Sequence, residues 1–175
     1  LRDMQKGKPL DELLQAVLGA RDEAGSTTPV LVKISPDLDP AGCEAIARVT
    51  MDRSIDGLVI SNTSTGLRDG LTCTNAGEVG GLSGDPLFSL STQVLANMYR
   101  LTEGRVTLIG VGGISSGADV YAKIRAGASL TELYTALIYN GPSLIKRIHN
   151  EMATLLKQDG FSSVAEAVGT ASQSQ

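Results

Sequence analysis

The feature that most constrains this chain is an alternation. Short aliphatic runs, Pro29-Val-Leu-Val-Lys-Ile34, Asp56-Gly-Leu-Val-Ile60, Val106-Thr-Leu-Ile-Gly-Val111 and Ser129-Leu-Thr-Glu-Leu-Tyr134, are separated by segments of helical period. Such short β-branched and aliphatic runs predict buried strands. Leu10, Leu13, Leu14, Val17 and Leu18 recur at the spacing of one helix face, and so do Leu144, Ile145, Ile148, Met152, Leu155 and Leu156. Helices are also predicted over Ala41 to Arg53 and Ser91 to Glu103. Asp39-Pro40 and Gly141-Pro142 read as helix starts, and Ser116 to Asp119 and Ser163 to Glu166 as capping boxes. Strands and helices in strict turn, joined by right-handed crossovers, define an α/β protein with a parallel sheet. Both an open doubly wound sheet and a (β/α)8 barrel satisfy that pattern, and periodicity leaves the choice open. A whole barrel needs about 250 residues, and the four βα units in these 175 residues make half of one.

Composition narrows the function. With 42% hydrophobic and 19% charged residues the chain should bury a core rather than stay disordered. A formal net charge of -4 without a basic block argues against nucleic acid as a partner. The longest apolar runs, such as Val106 to Val111, are far too short for a membrane span. Cys43 and Cys73 fit neither a metal pair nor a disulfide scaffold, so a reducing interior or protected matrix is expected. No leader, lipidation or export signal is visible, and Leu1 in place of a start methionine leads us to expect a chain that begins mid-protein.

Polar and glycine-rich residues follow the strands where α/β folds build their sites. Lys33 interrupts the first run, just before Ile34-Ser-Pro-Asp37. A charge there is costly unless paired with a carboxylate or used beside an anionic ligand. Ser61-Asn62-Thr63-Ser64-Thr65 is either turn chemistry or a polar floor for a small heterocycle. The segment from Thr65 to Ser89 reads as a long loop, and Gly80-Gly-Leu-Ser-Gly-Asp-Pro86 within it permits close approach of backbone to a ligand. Gly110-Val-Gly-Gly-Ile-Ser-Ser-Gly117 stands before a helix, where free N–H groups and the helix dipole suit phosphate. It is neither a Walker loop nor a strict dinucleotide fingerprint. Leu133-Tyr-Thr-Ala136 could add further N–H groups, completing the phosphate site that (β/α)8 barrels form between their last two strand loops. Two plain strand-to-helix turns are the bland alternative. Cys73 has no sequence-local partner and reads as incidental. His149, Tyr99, Tyr121 and Tyr139 read as packing or surface residues, and no metal site is expected.

The motifs Leu1-Arg2, Leu31-Val-Lys-Ile-Ser-Pro-Asp37, Asp56-Gly-Leu-Val-Ile-Ser-Asn-Thr63, Gly80-Gly-Leu-Ser-Gly84, Ile109-Gly-Val-Gly-Gly113, Ile124-Arg-Ala-Gly-Ala-Ser129 and Leu133-Tyr-Thr135, in this order and at these intervals, resemble the C-terminal half of a class 2 dihydroorotate dehydrogenase. The resemblance covers nearly the whole chain. It implies an FMN-containing (β/α)8 barrel of which residues 1–175 are the C-terminal half. The family is an oxidoreductase that converts dihydroorotate to orotate in pyrimidine synthesis and passes electrons to a quinone. The resemblance puts Lys33 against the flavin, and Ser61, where the family commonly has threonine, in hydroxyl contact with FMN. Asn62 and Thr63 would bind the dihydroorotate. Ser83, Gly84, Gly112 and Gly113 would line the FMN side chain and phosphate, and Tyr134 and Thr135 would complete the phosphate cradle.

The family's catalytic base is a serine a few residues before the Leu-Arg pair that here is Leu1-Arg2, so no catalytic base is expected in this chain. The first strands, the quinone tunnel and the membrane-contacting helices belong to an N-terminal half that would be a partner of this one. The family places eukaryotic members on the mitochondrial inner membrane and bacterial ones on the cytoplasmic membrane. Alone, a half barrel would expose strand edges on both sides. Two other readings fit the double phosphate loop: a (β/α)8 isomerase or lyase using a carboxylate pair without flavin, and a non-catalytic half-barrel fragment.

Overall fold

The computed structural model describes residues 7–172, so the Leu1-Arg2 motif lies outside the described residues. The elements alternate as the sequence predicts: α1 (Gly7–Glu23), β1 (Leu31–Ile34), α2 (Pro40–Asp52), β2 (Gly57–Ile60), α3 (Phe88–Leu101), β3 (Thr107–Val111), α4 (Gly117–Ala126), β4 (Leu130–Glu132), α5 (Thr135–Asn140), α6 (Ser143–Gln158) and α7 (Val164–Ala167). The strands form one sheet in the order β1-β2-β3-β4, with every neighbouring pair parallel. This is the arc of half a (β/α)8 barrel.

Each strand is shorter than its aliphatic run. The fourth differs most: it ends at Glu132 rather than Tyr134, because Tyr134 is the N-cap residue of α5. The long loop is also shorter than expected. A 3-10 turn over Asp85–Leu87 leads straight into α3 at Phe88, and a two-residue bridge between Ser64 and Leu82 closes the loop at its base.

Alternation along the strands sorts the two faces of the sheet. Ile34, Leu58, Ile60 and Leu108 are fully buried, in one cluster with Ile46, Leu95, Met98 and Ile124 from the helices. Burying a side chain of this size stabilises by about 1.5–3 kcal/mol. The intervening residues lie on the face without helices. Lys33, Val59, Ile109 and Leu130 stand opposite one another across the sheet. Leu31 and Leu130, on the two edge strands, are 45% and 60% exposed. All-parallel sheets are otherwise covered on both faces, so this sheet has one finished face and one bare of helices, on which the central Val59 and Ile109 are buried and the edge residues are not.

The caps repeat the pattern of confirmed and corrected expectations. Asp39 accepts from the Gly42 amide at 2.7 Å, with Pro40 at the first turn of α2. Ser116 and Asp119 form the capping box of α4. Ser163, by contrast, makes no side-chain cap bond, and Glu166 accepts from the amide of Ser162, one residue too early for a box.

Candidate active site at the strand ends

Beyond the ends of β3 and β4 lies a cleft of about 460 Å³. Its walls bring together Ser83, Gly84, Gly112, Gly113, Tyr134 and Thr135, six of the residues singled out from sequence. The chain can turn here only because of glycine. Gly112 and Gly113 have φ of 104° and 74°, and an added Cβ at Gly113 would lie 2.6 Å from the Phe88 Cα. The Ser83 and Thr135 hydroxyls meet at 2.8 Å across the cleft, fixing the glycine-rich loop against the start of α5.

Backbone accounting corrects one expectation about this cleft. The amides at the start of α4 are not free for phosphate. Asp119 Oδ2 accepts from the amides of Ser115 and Ser116, both at 2.9 Å, and Glu151 Oε2 reaches over from α6 to accept from Gly117 at 2.7 Å. Two carboxylates already occupy the positive end of that helix, where a further anion would be repelled. Among the described residues, no protein acceptor takes the amides of Gly112, Gly113, Thr135 or Ala136. The free amide donors of the motif therefore lie at its glycines, not at its serines.

The second group of predicted residues lies at the ends of β1 and β2. The Ser61 amide donates to Val111 O at 3.2 Å and the Asn62 amide to Ile34 O at 2.8 Å, so the strand ends adjoin the cleft. The Ile60–Ser61 peptide is cis. Ser61 is buried and its hydroxyl donates to the Asn62 carbonyl at 2.9 Å, whereas Asn62 is exposed and Thr63 half-buried. Thr63 packs so closely on Gly81 that no side chain could stand there, which ties this group to the Gly80–Gly84 loop. Lys33 corrects a premise. It is exposed on the bare face, and among the described residues no carboxylate pairs with it, so the burial cost that made it conspicuous in sequence is not incurred within this chain.

Asp37 had no role assigned from sequence. Its carboxylate accepts from the Ser64 hydroxyl and, at 2.8 Å, from the Thr65 amide, holding the β2 loop against the end of β1. Lys123 on α4 was also missed. It is fully buried, with Nζ 2.8 Å from Ser91 Oγ and 3.0 Å from Thr92 Oγ1, and 5.1 Å above the Phe88 ring. Desolvation pushes its pKa down to about 8, with Asp119 acting in the opposite sense. The signal was its place beside Val120 and Ile124 in the buried stripe of α4. His149 and Cys73 are exposed, while Cys43 is buried and burial pushes its thiol up.

Known proteins resemble this chain over nearly its whole length. The family model for dihydroorotate dehydrogenase matches residues 1–156. A relative from Azorhizobium caulinodans, named dihydroorotate dehydrogenase (quinone), is 51% identical over 173 residues, covering 97% of this chain and 49% of its own length. The mitochondrial dihydroorotate dehydrogenase (quinone) of Oryza sativa subsp. japonica is 52% identical over 175 residues, covering 97% of this chain and 37% of its own length. The crystal structure of the Eimeria tenella enzyme in complex with ferulenol superposes with a TM-score of 0.92 at 34% identity, over 97% of this chain and 50% of that one. The chain thus spans about half the length of most of the relatives it matches. With a matching family model over most of its residues and an arc of βα units that superposes on a solved member, the chain belongs to the dihydroorotate dehydrogenase family.

Proposed function

We propose that this chain is the C-terminal half of an FMN-dependent (β/α)8 barrel that oxidises dihydroorotate to orotate in pyrimidine synthesis and delivers the electrons to a quinone. The observation that carries the reading is the cleft at the ends of β3 and β4. Its glycines turn at positive φ and pack so closely on Leu87, Phe88 and Ser91 that a side chain is excluded, and its amides lack protein acceptors among the described residues, the donor set a phosphate requires. Gly112, Gly113, Tyr134 and Thr135 hold the phosphate, while Ser83 and Gly84 line the chain that leads from it. The bound FMN supplies two-electron redox chemistry that no side chain can provide.

The chain's own residues do the rest. Lys33 presents an ammonium on the bare sheet face, one strand position from the β1 end, where it would favour negative charge on a neighbouring ring. The Ser61 oxygen, its proton directed to the Asn62 carbonyl, offers a lone pair to a cofactor N–H or a second proton donor. Asn62 and Thr63 bind and orient the dihydroorotate with an amide and a hydroxyl. The proton-abstracting serine and the quinone path belong to the rest of the barrel, which closes over Leu31, Lys33 and Leu130. Plant relatives named mitochondrial support a mitochondrial inner-membrane location for a eukaryotic form of the protein, with the cytoplasmic membrane as the counterpart for a bacterial form.

The test is the visible absorption spectrum of the full-length protein before and after anaerobic addition of dihydroorotate. A flavin band that bleaches supports cofactor, substrate and half-reaction together. A stable band with no bleaching removes the substrate assignment, and no flavin band removes the reading as a whole.

A further inference from the structure

We propose that Lys123 is the positioning residue of the phosphate cradle: through Ser91 it aims the Gly113 amide into the cleft, and its buried charge is balanced by the phosphate. The inference rests on the cofactor reading above.

The direction of the hydrogen bonds follows from chemistry. A lysine ammonium has three protons to donate and no lone pair to accept with. Ser91 and Thr92 must therefore accept from Nζ and direct their own protons elsewhere. Ser91 Oγ faces the Gly112 carbonyl at 3.2 Å and the Phe88 carbonyl at 3.1 Å, and Thr92 Oγ1 donates to the Phe88 carbonyl at 2.7 Å. The Gly112 carbonyl and the Gly113 N–H belong to one planar trans peptide, in which they point in opposite directions. Drawing the carbonyl down toward Ser91 turns the Gly113 N–H up, away from the core and into the cleft. An ammonium behind this relay also strengthens it, since hydrogen bonds from charged donors polarise those that follow.

Charge balance argues the same way. A buried cation is costly unless a negative charge compensates it. No carboxylate touches Nζ among the described residues, where its contacts are two hydroxyls and a ring face. Asp119 acts on it from its own helix, but that carboxylate is taken up by the amides of Ser115 and Ser116. On the α6 side, Arg147, Glu151 and Asp159 are engaged with Ser115, Gly117 and Tyr121. A lysine flanked by Val120 and Ile124 gains nothing from packing that methionine would not give. A dianionic phosphate on the other side of the Gly112–Gly113 peptide provides the missing counter-charge.

The test compares the affinities of FMN and riboflavin, which differ only in the phosphate, for the full-length apoprotein and its Lys123→Met variant. We expect Lys123→Met to weaken FMN by about tenfold or more and to change riboflavin by less than about twofold. Equal weakening of both flavins would mark Lys123 as structural and overturn the inference, as would no change in either. Should the variant not fold, the unmodified protein decides. Its preference for FMN over riboflavin should hold between about pH 7, where the phosphate is a dianion, and pH 8, and decline above that as Lys123, whose pKa is about 8 in the ligand-free fold, loses its proton. A preference that stays flat to about pH 9.5 would overturn the inference. The two readings fail separately. Equal affinity of the unmodified protein for both flavins at pH 7 rejects the phosphate cradle and Lys123 with it, whereas a strong FMN preference that survives Lys123→Met rejects Lys123 alone.

Discussion

The two ends of this sheet are built to different degrees of completion. At the ends of β3 and β4 the start of α4 is closed by carboxylates, a buried lysine bonds the serine behind the glycine turn, and a set of amides is left without protein acceptors among the described residues. At β1 and β2 the backbone is equally well anchored, through Asp37, Ser61 and the bridge to Leu82, yet Lys33 and Asn62 stand exposed beside a bare sheet face. The contrast teaches that one chain can carry a finished subsite next to an unfinished one. Under the proposed reading, the cleft end would hold its ligand group with residues of this chain alone, while Lys33 and Asn62 would need a second surface beside them.

Mutations can break or sharpen this contrast. Gly113→Ala should have the largest effect, about 3 kcal/mol or more, because it combines a positive φ with a clash against Phe88, and it should abolish phosphate binding. Chemical denaturation and FMN titration of the full-length protein would check both. Lys33→Ala should do the opposite. Its exposure predicts a stability change within about 0.5 kcal/mol, while the rate of flavin reduction by dihydroorotate should fall by about a hundredfold. An unchanged rate in stopped flow would remove Lys33 from the site. Asn62→Ala should weaken dihydroorotate by about tenfold and leave FMN alone, so equal losses for both would merge the two subsites into one. Asp119→Ala should have the smallest effect, about 1 kcal/mol of stability from the lost capping box, with FMN affinity retained. A large loss of FMN there would mean that the start of α4 binds the phosphate after all.

Local signals were enough for the scaffold. Aliphatic runs marked all four strands, and Asp39-Pro40 and Ser116 to Asp119 marked helix starts, because strand propensity and N-caps depend on neighbours in sequence. What escaped depends on partners far along the chain. Glu151 closes α4 from a helix that begins 26 residues later, and Asp37 reaches Ser64 from the neighbouring strand end. Neither contact leaves a spacing in sequence that could be read. Lys123 was hidden for another reason. A charge on a helix is ordinarily solvated, and only its position next to Val120 and Ile124 distinguishes it from Lys146 or Lys157, which lie exposed on α6. Lys33 stands exposed within this chain, since an aliphatic strand implies burial only where both sheet faces are covered.

The most direct measurement is a crystal structure of the full-length protein with its flavin bound. The account predicts the phosphate in the cleft between β3 and β4, within hydrogen-bond distance of the Gly113 and Thr135 amides, with Asp119 and Glu151 still bonded to the start of α4. A phosphate seated instead on Ser115, Ser116 and Gly117, or a flavin bound away from this cleft, would contradict it.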